Sequence, residues 1–207
     1  MNDPHRLVER GYDEIAQRYE RVIRANRGPE TYFREFLDRV GSRVPEGGRV
    51  LDLGCGSGAI AGELATKARV VGVDRSFGQL ELARRAAPGA ALVRADIAEI
   101  DFAPASFDVI VAFWSLIHVE RSRHAQVFRR MHGWLRPGGV FAGTLGSGDN
   151  PDERNPDFFG APMYWSHFDA GTNRRLLREA GFDLVQADEV RDEGETPLWV
   201  IASARAT

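Results

Sequence analysis

Residues 50–58 of this 207-residue chain read Val50-Leu51-Asp52-Leu53-Gly54-Cys55-Gly56-Ser57-Gly58. An apolar strand pattern runs into a glycine-rich turn, and a helix pattern follows from Ala59. Glycines let a backbone approach a ligand closely, and the start of the next helix adds oriented N–H groups. Phosphate sites share this geometry, but Asp52 brings a negative charge that a phosphate would not favour. An acid beside a glycine loop instead suits a ligand with a cationic amine or sulfonium.

The composition is that of an ordinary globular protein, with a net charge of −3 and no basic block. Cys55 is the only cysteine, which excludes an intramolecular disulfide and a cysteine zinc cluster. No apolar run reaches the roughly 18 residues of a membrane span, and the N-terminus is charged rather than signal-like. We therefore expect a cytoplasmic protein, a monomer or homodimer, that acts on a small-molecule acceptor with no nucleic-acid or membrane partner.

Strand and helix patterns alternate from residue 49 onward, after two amphipathic helices separated by a break at Gly28-Pro29. The predicted strands cover residues 49–53, 69–73, 91–94, 108–112, 140–145, 183–190 and 198–203. The predicted helices cover residues 5–25, 30–43, 57–67, 76–87, 120–135 and 170–180. Repeated strand–helix units predict a parallel sheet with helices on both faces, and the last two strands predict a hairpin.

Four stretches fall at the carboxyl ends of predicted strands, where ligands of such sheets bind. They are Gly54–Gly58, Asp74, Asp96 and Phe113–His118. Their convergence predicts one crevice. Residues 146–168 lie outside the repeating pattern and are rich in Gly, Pro, Asp and aromatic residues, so we expect a lid or binding loop there.

The glycine loop alone leaves more than one ligand open. Gly54–Ala59 satisfies G-x-G-x-x-A, which does not separate a nicotinamide site from others. Asp52 would be an unusual charge under a pyrophosphate, so an NAD(P)-dependent oxidoreductase is the less favoured alternative. Asp74 is placed to accept hydrogen bonds from a ribose diol, or else to cap the next helix. Asp96 is placed to accept an adenine amino group, or to cap the turn that follows it.

Together with the turn Leu135-Arg136-Pro137-Gly138-Gly139, these stretches resemble the class I S-adenosylmethionine-dependent methyltransferases that act on small molecules. The likeness is closest over residues 45–145. It implies an α/β fold with a Rossmann-like seven-stranded sheet of order 3-2-1-4-5-7-6, in which strand 7 is antiparallel. Helices would cover both faces of a single methyltransferase domain over residues 1–207. Residues 1–45 would form an N-terminal helical cap, and residues 146–168 a lid or substrate segment.

The resemblance also implies S-adenosyl-L-methionine as cofactor and S-adenosyl-L-homocysteine as product. The loop from Asp52 would hold the methionine end, Asp74 the ribose hydroxyls, and Asp96 the adenine. The full set of implied cofactor-binding residues is Tyr19, Asp52, Gly54, Cys55, Gly56, Gly58, Asp74, Arg75, Asp96, Ile97 and Phe113. The stretch Gly11–Tyr19 resembles the helix that covers the cofactor in these enzymes, although core packing explains its tyrosines nearly as well.

The stretch Phe113–His118 lacks the Asn/Asp-Pro-Pro-aromatic pattern of enzymes that methylate nucleic-acid bases or glutamine amides. It also lacks the acid of metal-dependent catechol-type enzymes, so we expect no metal. The candidate catalytic residues are His118 and His167, each of which has the chemistry of a base. The alternative for His118 is that it only shapes the pocket, and the alternative for His167 is that it docks the lid.

The candidate substrate-binding residues are Tyr12, Trp114, Tyr164 and Trp165. These aromatic residues predict a small, partly apolar or aromatic acceptor, with oxygen slightly favoured over nitrogen as the methylated atom. A non-catalytic S-adenosylmethionine-binding partner subunit is the alternative function.

Overall fold

A computed structural model describes residues 3–26, 31–192 and 194–206 of the chain. The helices in this part are α1 (Pro4–Asn26), α2 (Tyr32–Gly41), α3 (Ala59–Leu64), α4 (Phe77–Ala86), α5 (His124–Trp134) and α6 (Ala170–Glu179). The strands are β1 (Arg49–Leu53), β2 (Arg69–Asp74), β3 (Ala91–Arg94), β4 (Phe107–Ala112), β5 (Leu135–Leu145), β6 (Asn150–Phe158), β7 (Ala161–His167), β8 (Phe182–Glu189) and β9 (Leu198–Ala204). The predicted break at Gly28-Pro29 lies outside the described residues.

Seven of the strands form one sheet in the order β3-β2-β1-β4-β5-β9-β8. Strands β1 to β5 run parallel, and β9 pairs antiparallel with both β5 and β8. The predicted strand order is confirmed, with β8 and β9 as its strands 6 and 7. Because β1 to β4 run parallel, the segments that follow them meet at a single edge of the sheet.

The centre of the sheet is apolar on both faces. Leu51 and Leu53 of β1 pack into one buried cluster, and Val50 packs into another. Since successive side chains of a strand point to opposite faces, these clusters lie on the two sides of the sheet. This burial explains why β1 reads as a nearly continuous apolar run instead of an alternating one.

Residues 146–168, predicted as an irregular lid, contain the two-stranded antiparallel sheet β6–β7. Met163 and Tyr164 of β7 are buried against α1, whereas β6 is largely exposed. Strand β6 reads Asn-Pro-Asp-Glu-Arg-Asn-Pro-Asp-Phe, and proline and acidic residues disfavour strands in a local reading. Pairing with β7 therefore gives this segment its strand conformation.

Helix α1 lies over the edge where the parallel strands end, because it is fixed to both α4 and the hairpin. The Asp13 carboxylate accepts hydrogen bonds from the Gly78 N–H (2.9 Å) and the Ser76 hydroxyl (2.6 Å). Gly11 approaches β7 so closely that a Cβ there would lie 2.6 Å from the carbonyl oxygen of Pro162. No helix within the described ranges is long and apolar enough to cross a membrane.

Candidate functional site

The loop between β1 and α3 has a geometry that requires glycine at its first position. Gly54 has a φ of 74°, and a Cβ there would lie 2.2 Å from the Cβ of Ser115. The N–H groups of Gly54 and Cys55 both donate to the carbonyl of Val73, at 2.7 and 3.0 Å. Gly56 also has a positive φ, but the atom nearest to a Cβ there would be 3.7 Å away. The loop thus curves around an open space in front of Gly56.

A crevice opens in front of this loop, at the ends of β1 to β4 and against α1. The predicted cofactor-binding residues that line the crevice are Tyr19, Gly54, Cys55, Gly56, Asp74, Arg75, Asp96, Ile97 and Phe113. The other two, Asp52 and Gly58, do not line it. Asp52 is 1% exposed within β1. Gly58 faces α4, where an added Cβ would lie 2.8 Å from the Cα of Ala83.

Asp74, at the end of β2, is held by backbone groups. One oxygen accepts from the Gly56 N–H and the other from the Ser76 N–H, each at 2.9 Å. Burial raises the pKa of this carboxyl, and the backbone hydrogen bonds oppose that increase. Each carboxylate oxygen accepts two hydrogen bonds, so the Asp74 carboxylate keeps a lone pair for a ligand hydroxyl.

Asp96, after β3, is the centre of a charged cluster that includes the start of α1. Its Oδ2 lies 2.8 Å from Nη2 of Arg75 and 3.1 Å from Nδ1 of His5, and its Oδ1 accepts from the Ala98 N–H. Burial alone would raise the pKa of Asp96, but the hydrogen bond from His5 and the other contacts lower it to about 2. Asp96 is therefore an ionised hydrogen-bond acceptor beside the crevice.

Gln79, in the first turn of α4, also lines the crevice and was missed by sequence reasoning. Its side chain is 2% exposed, and neither its amide nitrogen nor its amide oxygen has a hydrogen-bond partner among the described residues. A buried amide without partners costs free energy, so such a group points to a ligand that supplies them. The available signal was its position one turn after Ser76, the residue that caps α4.

A second cavity joins the crevice. Tyr12, Tyr19, Trp114 and His118 line both spaces. The second cavity continues to β6 and β7, and to the segment that precedes β9. Of its own lining residues, Trp165 and His167 were predicted from the sequence, whereas Glu153 and Glu195 were not. The acids were missed because exposed acidic residues in turn-like segments carry no distinctive local signal.

His118 links the second cavity to the crevice. Its Nδ1 lies 2.6 Å from the carbonyl oxygen of Tyr164, so Nδ1 carries the proton. Its Nε2 therefore accepts a hydrogen bond from the Tyr12 hydroxyl, 2.9 Å away. Burial lowers the pKa of His118 to about 4. The ring is neutral at physiological pH and holds Tyr12 in place.

His167 lies on the far side of the second cavity, at the end of β7. Its Nδ1 lies 2.9 Å from the carbonyl oxygen of Gly148, which fixes the proton of the neutral ring on Nδ1 and leaves Nε2 unprotonated. Trp165 also faces this cavity. Tyr164, predicted to bind substrate, is 3% exposed and lines neither space, and its contribution is the carbonyl that orients His118.

Comparisons with known proteins agree with this geometry. A family model described as a methyltransferase domain matches residues 50–139. The chain is 30% identical over 188 residues to phosphoethanolamine N-methyltransferase 3 of Arabidopsis thaliana. The matched region covers 85% of this chain and 37% of that protein. It is 32% identical over 163 residues to O-methyltransferase cnsE of Penicillium expansum, which is 71% of this chain and 56% of that protein.

A solved S-adenosylmethionine-dependent methyltransferase from Mesorhizobium loti is 25% identical, with a TM-score of 0.66, over 84% of this chain and 97% of that one. The chain therefore spans about a third to a little over half of the two curated relatives, but nearly all of this solved structure.

Proposed function

Because this chain belongs to the class I S-adenosylmethionine-dependent methyltransferases, we propose that it transfers the methyl group of S-adenosylmethionine to a small, partly apolar or aromatic metabolite. The observation that carries the proposal is the junction of the two spaces. Tyr12, Tyr19, Trp114 and His118 line the crevice and the second cavity alike. A methyl donor in the first space would thus face an acceptor in the second across one set of aromatic side chains.

The crevice suits the donor. We assign the methionine end to the loop Gly54–Gly58, the ribose hydroxyls to Asp74, and the adenine to Asp96 with Ile97. The open space at Gly56 and the unpartnered carboxamide of Gln79 both support this fit. In this assignment Asp52 and Gly58 act indirectly, by shaping the loop.

When bound, S-adenosylmethionine supplies a methyl group on a sulfonium, whose sulfur leaves as a neutral thioether. Alignment then limits the rate most, so the task of the protein is to hold the acceptor in line and keep water away. Trp114 is placed for this task by a backbone φ of 49° and by a 2.7 Å hydrogen bond from its N–H to the Thr144 hydroxyl. A positive φ is costly for a tryptophan, and strain of this kind concentrates at functional sites.

The cap and the lid would both contribute to one domain. Helix α1 supplies Tyr12 and Tyr19, and the β6–β7 hairpin supplies Phe158 and Trp165. These rings contact one another, with the centroids of Tyr12 and Tyr19 5.3 Å apart and those of Phe158 and Trp165 5.0 Å apart. We therefore assign residues 1–45 and 146–168 to closure of the site.

Of the two histidines, we assign proton acceptance to His167 and a positioning role to His118. A base with a pKa of about 4 is a weak acceptor near neutral pH, and Nε2 of His118 is already engaged with Tyr12. His167 makes its hydrogen bond to Gly148 through Nδ1, so Nε2 is the nitrogen left to accept a proton. The pH dependence of turnover in two variants separates these roles. His167→Ala should change the pH profile, because it removes the base. His118→Ala should lower the rate at every pH, because it removes the positioning of Tyr12.

Titration calorimetry with S-adenosylhomocysteine tests the donor assignment. We expect Asp74→Ala to weaken binding by about tenfold or more, since a charged hydrogen bond contributes roughly 1.5–3 kcal/mol. Asp188→Ala, at an exposed acid of β8, is the control and should bind like the wild type. Equal affinity of Asp74→Ala and the wild type would contradict the ribose assignment.

A further inference from the structure

The second cavity has an unusual charge. Two carboxylates line it, those of Glu153 and Glu195. Among the described residues that line this cavity there is no arginine or lysine, although the chain contains 27 of them. The histidines that face the cavity, His118 and His167, have tautomers in which Nε2 is an acceptor. The second cavity thus has two carboxylates and, among its described lining residues, no arginine or lysine that could pair with an anionic ligand.

The arginines nearest to the hairpin acids are engaged away from the cavity. Arg154 forms an ion pair with Asp152 at 3.2 Å and stacks over the Tyr164 ring at 5.5 Å. Arg121 pairs with Asp149. Neither arginine lines the second cavity. No basic side chain among the described lining residues of the cavity therefore pairs with its carboxylates.

The carboxylates stand beside aromatic faces. Glu153 lies opposite Trp165 in the β6–β7 register, and both line the second cavity. Burial, chiefly, raises the pKa of Tyr12 well above its ordinary value, and Tyr19, Asp74 and Glu195 raise it further. Of these causes, burial disfavours a charge of either sign, whereas the carboxylates of Asp74 and Glu195 specifically disfavour a negative charge at the junction of the two spaces. Aromatic faces combined with carboxylates are the surroundings in which proteins stabilise ammonium groups.

We propose, on the premise of the function proposed above, that the methyl acceptor is an amine nitrogen on a partly apolar molecule that carries no carboxylate or phosphate. The sequence alone slightly favoured oxygen. Nitrogen replaces oxygen as the favoured acceptor atom because of how charge moves during the reaction. With a neutral amine, positive charge moves from the sulfur to the nitrogen, into the cavity that the two carboxylates line, whereas an anionic oxygen acceptor would be repelled by the same carboxylates.

An amine that enters the cavity as ammonium first releases a proton to water, because only the neutral amine has a lone pair with which to attack. The lone pair of the neutral amine forms a bond to the methyl carbon, and the carbon–sulfur bond breaks with its electron pair left on sulfur. The nitrogen then carries one positive charge and, for a primary or secondary amine, a removable proton. Nε2 of His167 is placed to accept that proton. Glu153 and Glu195 stabilise the ammonium product.

Binding of charge-matched probes to the full chain tests this inference. The protein is first titrated with S-adenosylhomocysteine, and the saturated complex is then titrated with benzyltrimethylammonium or with phenylacetate. Tryptophan fluorescence reports binding, because Trp114 and Trp165 line the second cavity. We expect the cation to bind about tenfold more tightly than the acid or better, and the double variant Glu153→Gln/Glu195→Gln to lose most of that preference.

Asp157→Asn is the matched control, since this acid is exposed in the same hairpin and does not line the second cavity. It should keep the preference of the wild type. Phenylacetate binding as tightly as the cation, or a double variant with wild-type affinity for the cation, would overturn the inference. Failure of S-adenosylhomocysteine to bind would instead refute the proposed function, so the two failures are distinguishable.

Discussion

Acid should destabilise the fold through two buried histidines. His118 is 9% exposed and His124 is 2% exposed, and burial lowers the pKa of each to about 4 from an ordinary value of 6.5. Each ring donates one hydrogen bond to a backbone carbonyl, of Tyr164 and Val119 respectively. Between pH 6.5 and 4 the unfolded chain therefore binds protons that the folded protein does not. Stability should fall as the pH falls through this range.

The magnitude follows from the two pKa values. A difference of one proton between the folded and unfolded states changes the unfolding free energy by about 1.4 kcal/mol per pH unit. Between pH 7 and pH 5 an unfolded histidine becomes almost fully protonated, whereas a ring with a pKa of about 4 stays neutral. The loss over this interval is about 2 kcal/mol for each histidine.

Urea unfolding at a series of pH values from 7.5 to 5 measures the effect. The variants His118→Gln and His124→Gln should each flatten the pH dependence by about 2 kcal/mol, and the double variant by about 4 kcal/mol, whatever their stability at pH 7. The comparison with the wild type removes the contribution of His5, whose pKa is shifted the opposite way. A double variant with the same pH dependence as the wild type would refute this account of the buried rings.

Three further predictions concern the crevice. We expect Gly54→Ala to destabilise the protein by about 3 kcal/mol more than Gly56→Ala in urea unfolding. An added Cβ clashes at Gly54, whereas at Gly56 its nearest neighbour would be Oε1 of Gln79 at an ordinary contact distance of 3.7 Å. Equal losses would contradict this difference in packing. Gln79→Leu should weaken S-adenosylhomocysteine binding about fivefold in calorimetry. The stability of the protein should not fall, because the substitution removes two buried polar atoms that lack partners. An unchanged affinity would show that this side chain does not contact the cofactor. The pKa of His5 is raised chiefly by its hydrogen bond with Asp96, so the stability from this pair is fully present below pH 6.5 and is lost as the pH rises through the raised value. In unfolding measured from pH 6 to 9, His5→Gln should remove this loss of stability. A variant that still loses stability over this range would count against the pair.

The sheet and the crevice were predictable because their signals are local. The apolar run of β1, the glycines after it, and Asp74 at the end of β2 lie within 25 residues of one another. In a parallel sheet, the residue that follows a strand lies at the carboxyl edge of the sheet, where ligands bind. The positions of Asp74 and Asp96 at the crevice followed from strand boundaries alone.

The hairpin and the charge of the second cavity were not predictable in this way. Strand β6 exists through its pairing with β7, and β7 is buried through its contact with α1, so both depend on residues far away in sequence. The same holds for His118, for which the sequence left a base and a pocket-shaping residue as alternatives, because its burial and its hydrogen bond with Tyr12 arise from tertiary packing. Glu153 and Glu195 acquire meaning only when the fold brings them to one cavity.

Helix α1 precedes in sequence all the elements against which it docks. The partner of Asp13, Ser76, follows it by 63 residues, and the carbonyl of Phe159 follows its partner Arg18 by 141. Contacts over such separations form slowly, because loop closure costs entropy before the contact contributes. The pairs β1–β2 and β2–β3 join residues only 20 positions apart, such as Val50 with Val70 and Val71 with Ala91. We therefore expect α1 to reach the hairpin after these strands have paired, so that part of the sheet forms before the ligand-binding surface is complete.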